Sequence, residues 1–161
     1  MGEVATTDEE QPQPLARLFA IALRSLVDEL HEQLARRGWT DVRPSFGFVL
    51  LAVHDRPVTA TELATVMGTT KQATSKLISS MAAAGYVERA DAVDDGRRRP
   101  VQITERGLEL LREVERIYVD LERGWSEIIG HDAVESLRSD LTAVLRARHD
   151  GRLPAVRPTT A

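Results

Sequence analysis

With 161 residues, 42% of them apolar and only 4% aromatic, the chain suits one ordinary domain, or one domain with an appended dimerisation element, built around Leu, Val, Ile and Ala. The absence of cysteine excludes disulfides, thiolate metal sites, cysteine nucleophiles and thiol-based redox sensing. The net charge of −4 does not exclude nucleic acid as a partner, because Glu3, Asp8, Glu9 and Glu10 sit in a Pro/Gln-rich leader and the rest sets 21 acidic groups against 21 Lys and Arg.

No apolar run approaches the roughly 18 residues of a membrane span, and the N-terminus is acidic, so a cytoplasmic protein is expected. Residues 1–13 lack apolar periodicity and read as a disordered leader. Leu15, Leu18, Phe19, Ala22, Leu26 and Leu30 then recur at helical spacing, so a long amphipathic helix is expected up to Gly38. After the connector 39–43 and Pro44, Ser45 is expected to cap a short apolar helix over 46–54.

Thr59 and Glu62 have the spacing of a capping box ahead of Leu63, Val66 and Met67, and Gly68 suits the left-handed position that ends such a helix. Thr69 and Gln72 suggest a second capping box for a helix running to about Ala84. Two capped helices joined through a Gly turn outline a helix-turn-helix. Beyond Gly85 the pattern changes to alternation, with short strands expected over 86–90 and 99–103 and a polar hairpin loop between them. A helix-turn-helix followed by a hairpin is a winged helix.

A further long helix is expected from Thr104. Gly107, Leu111, Val114, Tyr118, Leu121, Trp125 and Ile128 follow at alternating four- and three-residue steps, a coiled-coil-like seam. Asp132 and Glu135 open a last helix, with Val134, Leu137, Leu141, Val144 and Leu145 on one face. The fold class expected is mainly α (α+β). Its expected divisions are a leader over 1–13, an N-terminal dimerisation helix and connector over 14–43, and a winged helix-turn-helix over 44–107. C-terminal dimerisation helices over 108–150 and a flexible tail over 151–161 complete the chain.

On the second helix of the helix-turn-helix, Ala73, Leu77, Ser80, Met81 and Ala84 fall on one side. Lys71, Gln72, Ser75, Lys76 and Ser79 fall within an arc of about 140° on the other. That arc holds both lysines of the chain, the other 19 cations being arginine. An amide, hydroxyls and lysines are groups that read base edges and grip phosphates, and Thr69 and Thr70 stand where free helix N–H groups favour a phosphate. The same polar face could equally be solvated, and a capping Gln72 would not be free to read a base. In the wing, Arg97, Arg98 and Arg99 suit a minor groove, and Asp94 or Asp95 suits an ion pair that orients one of them.

These residues resemble a known family. Asp95-Gly96-Arg97, five residues, then Ile103-Thr104-Glu105-Arg106-Gly107 is similar to the wing signature of the MarR family. Val58-Thr59, Leu63-Ala64 and Gly85-Tyr86-Val87-Glu88-Arg89 resemble its helix-turn-helix and first wing strand. The likeness spans about residues 45–110. It implies a cytoplasmic dimeric regulator on a pseudo-palindromic operator, with the recognition helix over 70–84 and Asp95 and Arg97 pairing with each other or reaching the minor groove. The resemblance also implies that the end helices, 15–37 and 108–149, intertwine between subunits, and that a small anionic or phenolic ligand between the two parts weakens DNA binding. The missing cysteine departs from the family's peroxide-sensing branch.

Dimerisation is expected through Leu15, Leu18, Phe19, Trp125, Leu137, Leu141 and Val144, since long apolar stripes at both ends have few elements within one subunit to cover them. Trp39, Arg43, Phe46, Phe48 and His54 surround the second helix and form the candidate pocket for an organic anion. His31, His54, His131 and His149 are scattered and offer no ligand spacing, so no metal or other cofactor is expected. No nucleophile elbow, phosphate loop or paired-acid spacing points to an enzyme. The function expected is that of a dimeric DNA-binding repressor released by a small ligand. A winged helix used for protein contacts, or a metal-responsive regulator, is the alternative.

Overall fold

Apolar spacing, helix caps and five positive-φ glycines divide the chain into its elements. A computed structural model describes residues 12–90 and 99–156. Within them lie α1 (Leu15–Arg36), α2 (Pro44–Val53), α3 (Ala60–Met67), α4 (Lys71–Ala83), β1 (Val87–Arg89), β2 (Val101–Ile103), α5 (Glu105–Ile129) and α6 (His131–Arg148). Most of the expected leader, the wing segment 91–98 with Asp95, Arg97 and Arg98, and residues 157–161 lie outside the described residues.

The local starts and stops are chemical. Thr59 accepts from the Glu62 N–H at 3.2 Å while the Glu62 carboxylate accepts from the Thr59 N–H at 2.8 Å, the reciprocal box that opens α3. Gly68 ends α3 at φ 63°, a conformation that costs glycine little. Thr104 opens α5 by accepting from the Gly107 N–H at 3.1 Å. Two expected caps are corrected. Pro44 occupies the first turn of α2, with Arg43 before it and no side-chain cap from Ser45, because a residue without an N–H fits a position whose N–H has no helical partner. Thr70, not Thr69 with Gln72, caps α4, its hydroxyl accepting from the Ala73 N–H at 3.1 Å. The last helix, α6, follows Gly130 and has Asp132 in its first turn, as expected, with no side-chain cap.

The strands pair antiparallel with Val87 opposite Ile103, Glu88 opposite Gln102 and Arg89 opposite Val101. Val101 also exchanges two backbone hydrogen bonds with Val58, at 2.8 and 2.9 Å, which anchors the hairpin to the segment ahead of α3. Both strands are shorter than expected. One continuous core runs from Leu30 and Leu34 of α1 through Phe46, Val49, Leu50 and Val53 of α2 and Leu63 and Met67 of α3. It continues through Ile78 and Met81 of α4 and Tyr86, Val87 and Val101 of the hairpin to Leu110, Ile117 and Leu121 of α5. Each such buried side chain contributes about 1.5–3 kcal/mol against solvent exposure. The seam expected on α5 is inward at Gly107, Leu111 and Leu121, is widened by buried Leu110 and Ile117, and stops short of Ile128, which is 82% exposed.

Candidate nucleic-acid interface

The polar arc of α4 depends on which way the helix is turned, and that is set by its apolar residues. Thr74, Ile78 and Met81 are buried and Leu77 half-buried. This corrects the expected inner face: Ala73 is exposed, and Thr74 and Ile78 take the inner positions, Ile78 within the common core, because α4 packs on α3 and β1. The outward arc survives the rotation. Lys71, Gln72, Lys76 and Ser79 are exposed and Ser75 is half-buried, with Thr69 and Thr70 exposed at the helix start. With Thr70 as the cap, the start of α4 does not depend on Gln72.

A trench of about 670 Å³ runs between α3, α4 and the hairpin, lined by Thr59, Ala60, Thr61, Glu62, Lys71, Ser75, Arg89 and Arg99. Three cations, from α4, from β1 and from the segment ahead of β2, therefore share one groove. Glu62 is the acidic member, and its carboxylate is already engaged. The Thr59 backbone N–H, then its hydroxyl, then Arg56 at 3.2 Å hold it below the usual glutamate range. Of the expected wing cations, Arg99 lies in this trench, whereas Asp95, Arg97 and Arg98 lie outside the described residues. Arg89 was not among the expected site residues. Its alternation with buried Val87 across exposed Glu88 marks only a strand, and its place beside Lys71 depends on how the hairpin folds back.

The five residues of the expected ligand pocket separate. Phe46 is buried, Trp39 and Phe48 are half-buried, Arg43 is exposed at the start of α2, and exposed His54 lies 2.9 Å from Asp55. None of the clefts described here is lined by any of the five. Trp39 and Phe46 instead both pack on Tyr86, with ring centroids 6.1 and 5.8 Å away. The Tyr86 hydroxyl donates to Asp41 at 2.6 Å, and burial followed by that carboxylate pushes its ionisation up to about 12. Tyr86 is the residue here that sequence reasoning missed.

At the chain's ends, Leu15, Leu18 and Phe19 are 68%, 45% and 43% exposed, and Val144 54%. Trp125, Leu137 and Leu141 are half-buried around an apolar groove of about 290 Å³ that α5 and α6 form with Leu26 of α1. Among the described residues no group of three His, Asp or Glu is arranged to hold a metal ion, and no helix is long and apolar enough to cross a membrane.

Residues 47–98 match the sequence model of the MarR family. A comparison with curated proteins returned no match. Among solved structures, the reduced form of MarR from E. coli is similar with a TM-score of 0.72 and 23% identity, over 84% of this chain and 99% of that one. The Thermotoga maritima transcriptional regulator Tm0710 is similar with a TM-score of 0.65 and 19% identity, over 88% and 99%. S. aureus MepR, in its DNA complex, is similar with a TM-score of 0.61 and 18% identity, over 86% and 100%. A MarR-family match over residues 47–98, on a chain whose fold follows MarR structures over 84% of its length, identifies a winged helix-turn-helix fold similar to that of the MarR family.

Proposed function

We propose that the protein is a dimeric, sequence-specific DNA-binding transcriptional regulator, a repressor that leaves an inverted-repeat operator when a small organic anion or phenol binds. The observation that carries the reading is the outward arc of α4, where both lysines of the chain stand beside Gln72 and Ser79. A major groove admits one helix, whose amide, hydroxyl and ammonium groups meet base edges and phosphates. Lys71 and the trench cations Arg89 and Arg99 would follow the phosphate backbone on the flank of that helix. The helix N-terminus at Thr69 and Thr70 adds free N–H groups suited to a phosphate. The DNA complex of the structurally similar S. aureus MepR, and the naming of another similar structure as a repressor, support the same reading.

Two reading heads are required because one helix covers only a few base pairs, and heads about 34 Å apart meet successive turns of the groove. The exposed Leu15, Leu18 and Phe19 of α1 and the groove around Trp125, Leu137 and Leu141 support a homodimer built from the ends of the chain. An anionic effector acts in this scheme by favouring a head spacing that the operator does not match. The wing residues Asp95, Arg97 and Arg98 are assigned to the minor groove on the family resemblance.

A salt titration on a promoter fragment tests the reading. Binding should weaken linearly in log–log form, and Lys76→Ala should lower the slope by about one phosphate contact. A chain that binds no fragment above its nonspecific level, its own upstream region included, sinks the proposal and favours a protein-contact role for the wing.

A further inference from the structure

We propose that Arg106 is a positioning residue that latches the reading helix α4 to α1 and α5, and so sets the separation of the two reading heads; this rests on the dimeric DNA-binding function proposed above. Arg106 lies in the first turn of α5 and is exposed. Its guanidinium carbon sits 5.1 Å from the ring centroid of Trp39 and 5.1 Å from that of Tyr86. Its Nε–H donates to the carbonyl of Ala84 at 3.1 Å, and Ala84 is the C-cap of α4.

One side chain therefore joins three segments far apart in sequence. Each contact has a physical reason. The last carbonyls of a helix have no partner within it, and a cation there also meets the negative end of the helix dipole. A planar guanidinium can stack on aromatic faces while its edge donates, which a lysine ammonium cannot do. The Trp39 platform is itself fixed to α1, because the Trp39 N–H donates to the Leu34 carbonyl at 2.9 Å across Gly38 at φ 90°. Thr104 reinforces the site by donating to the Gly85 carbonyl at 2.6 Å. That bond holds the turn after α4, whereas Arg106 reaches the helix end itself and ties it to α1 as well. If α1 and α5 form the dimer frame, Arg106 is a side-chain link from that frame to the reading head.

The test combines two measurements on the full chain and its Arg106→Ala and Arg106→Lys variants. Hydrogen exchange in the free protein should rise over residues 82–86 in Arg106→Ala. DNA selected from a random pool by the wild type is then compared with the same DNA after its half-sites are moved by one base pair. The wild type is expected to lose about tenfold or more in affinity, and Arg106→Ala less than about threefold, with the dimer mass unchanged. Arg106→Lys should recover part of the discrimination. If Arg106→Ala does not fold, Trp39→Leu removes one platform and should relax discrimination in the same direction. Unchanged exchange, or undiminished discrimination, overturns the proposal. A wild type that selects no DNA overturns the regulatory function instead, and exchange alone then judges the latch.

Discussion

Gly107 has no room for a side chain. A Cβ there would stand 2.2 Å from the Tyr86 carbonyl oxygen and 2.7 Å from Ile103 Cγ1, so the first turn of α5 presses directly on the backbone leaving α4. Gly107→Ala should cost about 2–3 kcal/mol by forcing these elements apart, read as a lower urea midpoint. Neighbouring Tyr86 makes a pH prediction. Its phenol is held protonated up to about 12, against 10 when free. The folded state then binds the proton more tightly, so this contribution is complete below pH 10 and fades as pH rises towards 12. Tyr118 is also raised, by burial and then Glu115, so the readout is wild type against Tyr86→Phe. Their stability difference should shrink over that interval; a difference independent of pH would contradict the assignment.

At the scale of elements, α4 is a 13-residue helix whose interior is only partly apolar, so its start matters. Thr70 supplies the one side-chain bond at that start, and Thr70→Ala should lower stability by about 1 kcal/mol in thermal or urea melts. The rotation of α4 illustrates what periodicity can and cannot tell. A helical wheel separates polar from apolar residues, but Ala73, Thr74 and Ser80 are all small enough to sit on either side. The burial of Ile78 in the core, with α4 packed on α3 and β1, breaks that tie. The hairpin behaves differently. Its alternation is legible in Val87 and Val101, yet its attachment to Val58 is a pairing across more than 40 positions that local pattern does not encode. The trench cations Arg89 and Arg99 owe their position beside Lys71 to that attachment.

For the whole molecule, the long helices leave large apolar side chains facing outward at both ends, including Leu18, Phe19 and Val144. In the proposed homodimer they are covered by the second copy. Leu18→Glu should then halve the mass measured by sedimentation towards the 17.9 kDa of a single chain, and specific DNA affinity should fall with it. A wild type that sediments as a monomer would remove the basis for this. By itself the sequence determined the element order, the Thr59–Glu62 box, the Thr104 start and the resemblance to the MarR family, because caps, glycines and apolar spacing are local signals. Only the tertiary structure decided which face of α4 is inward, that Trp39 and Phe46 meet at Tyr86 rather than around an open cleft, and that Arg106 reaches the end of α4. Those outcomes depend on contacts between residues distant in the chain, whose energies no local spacing carries.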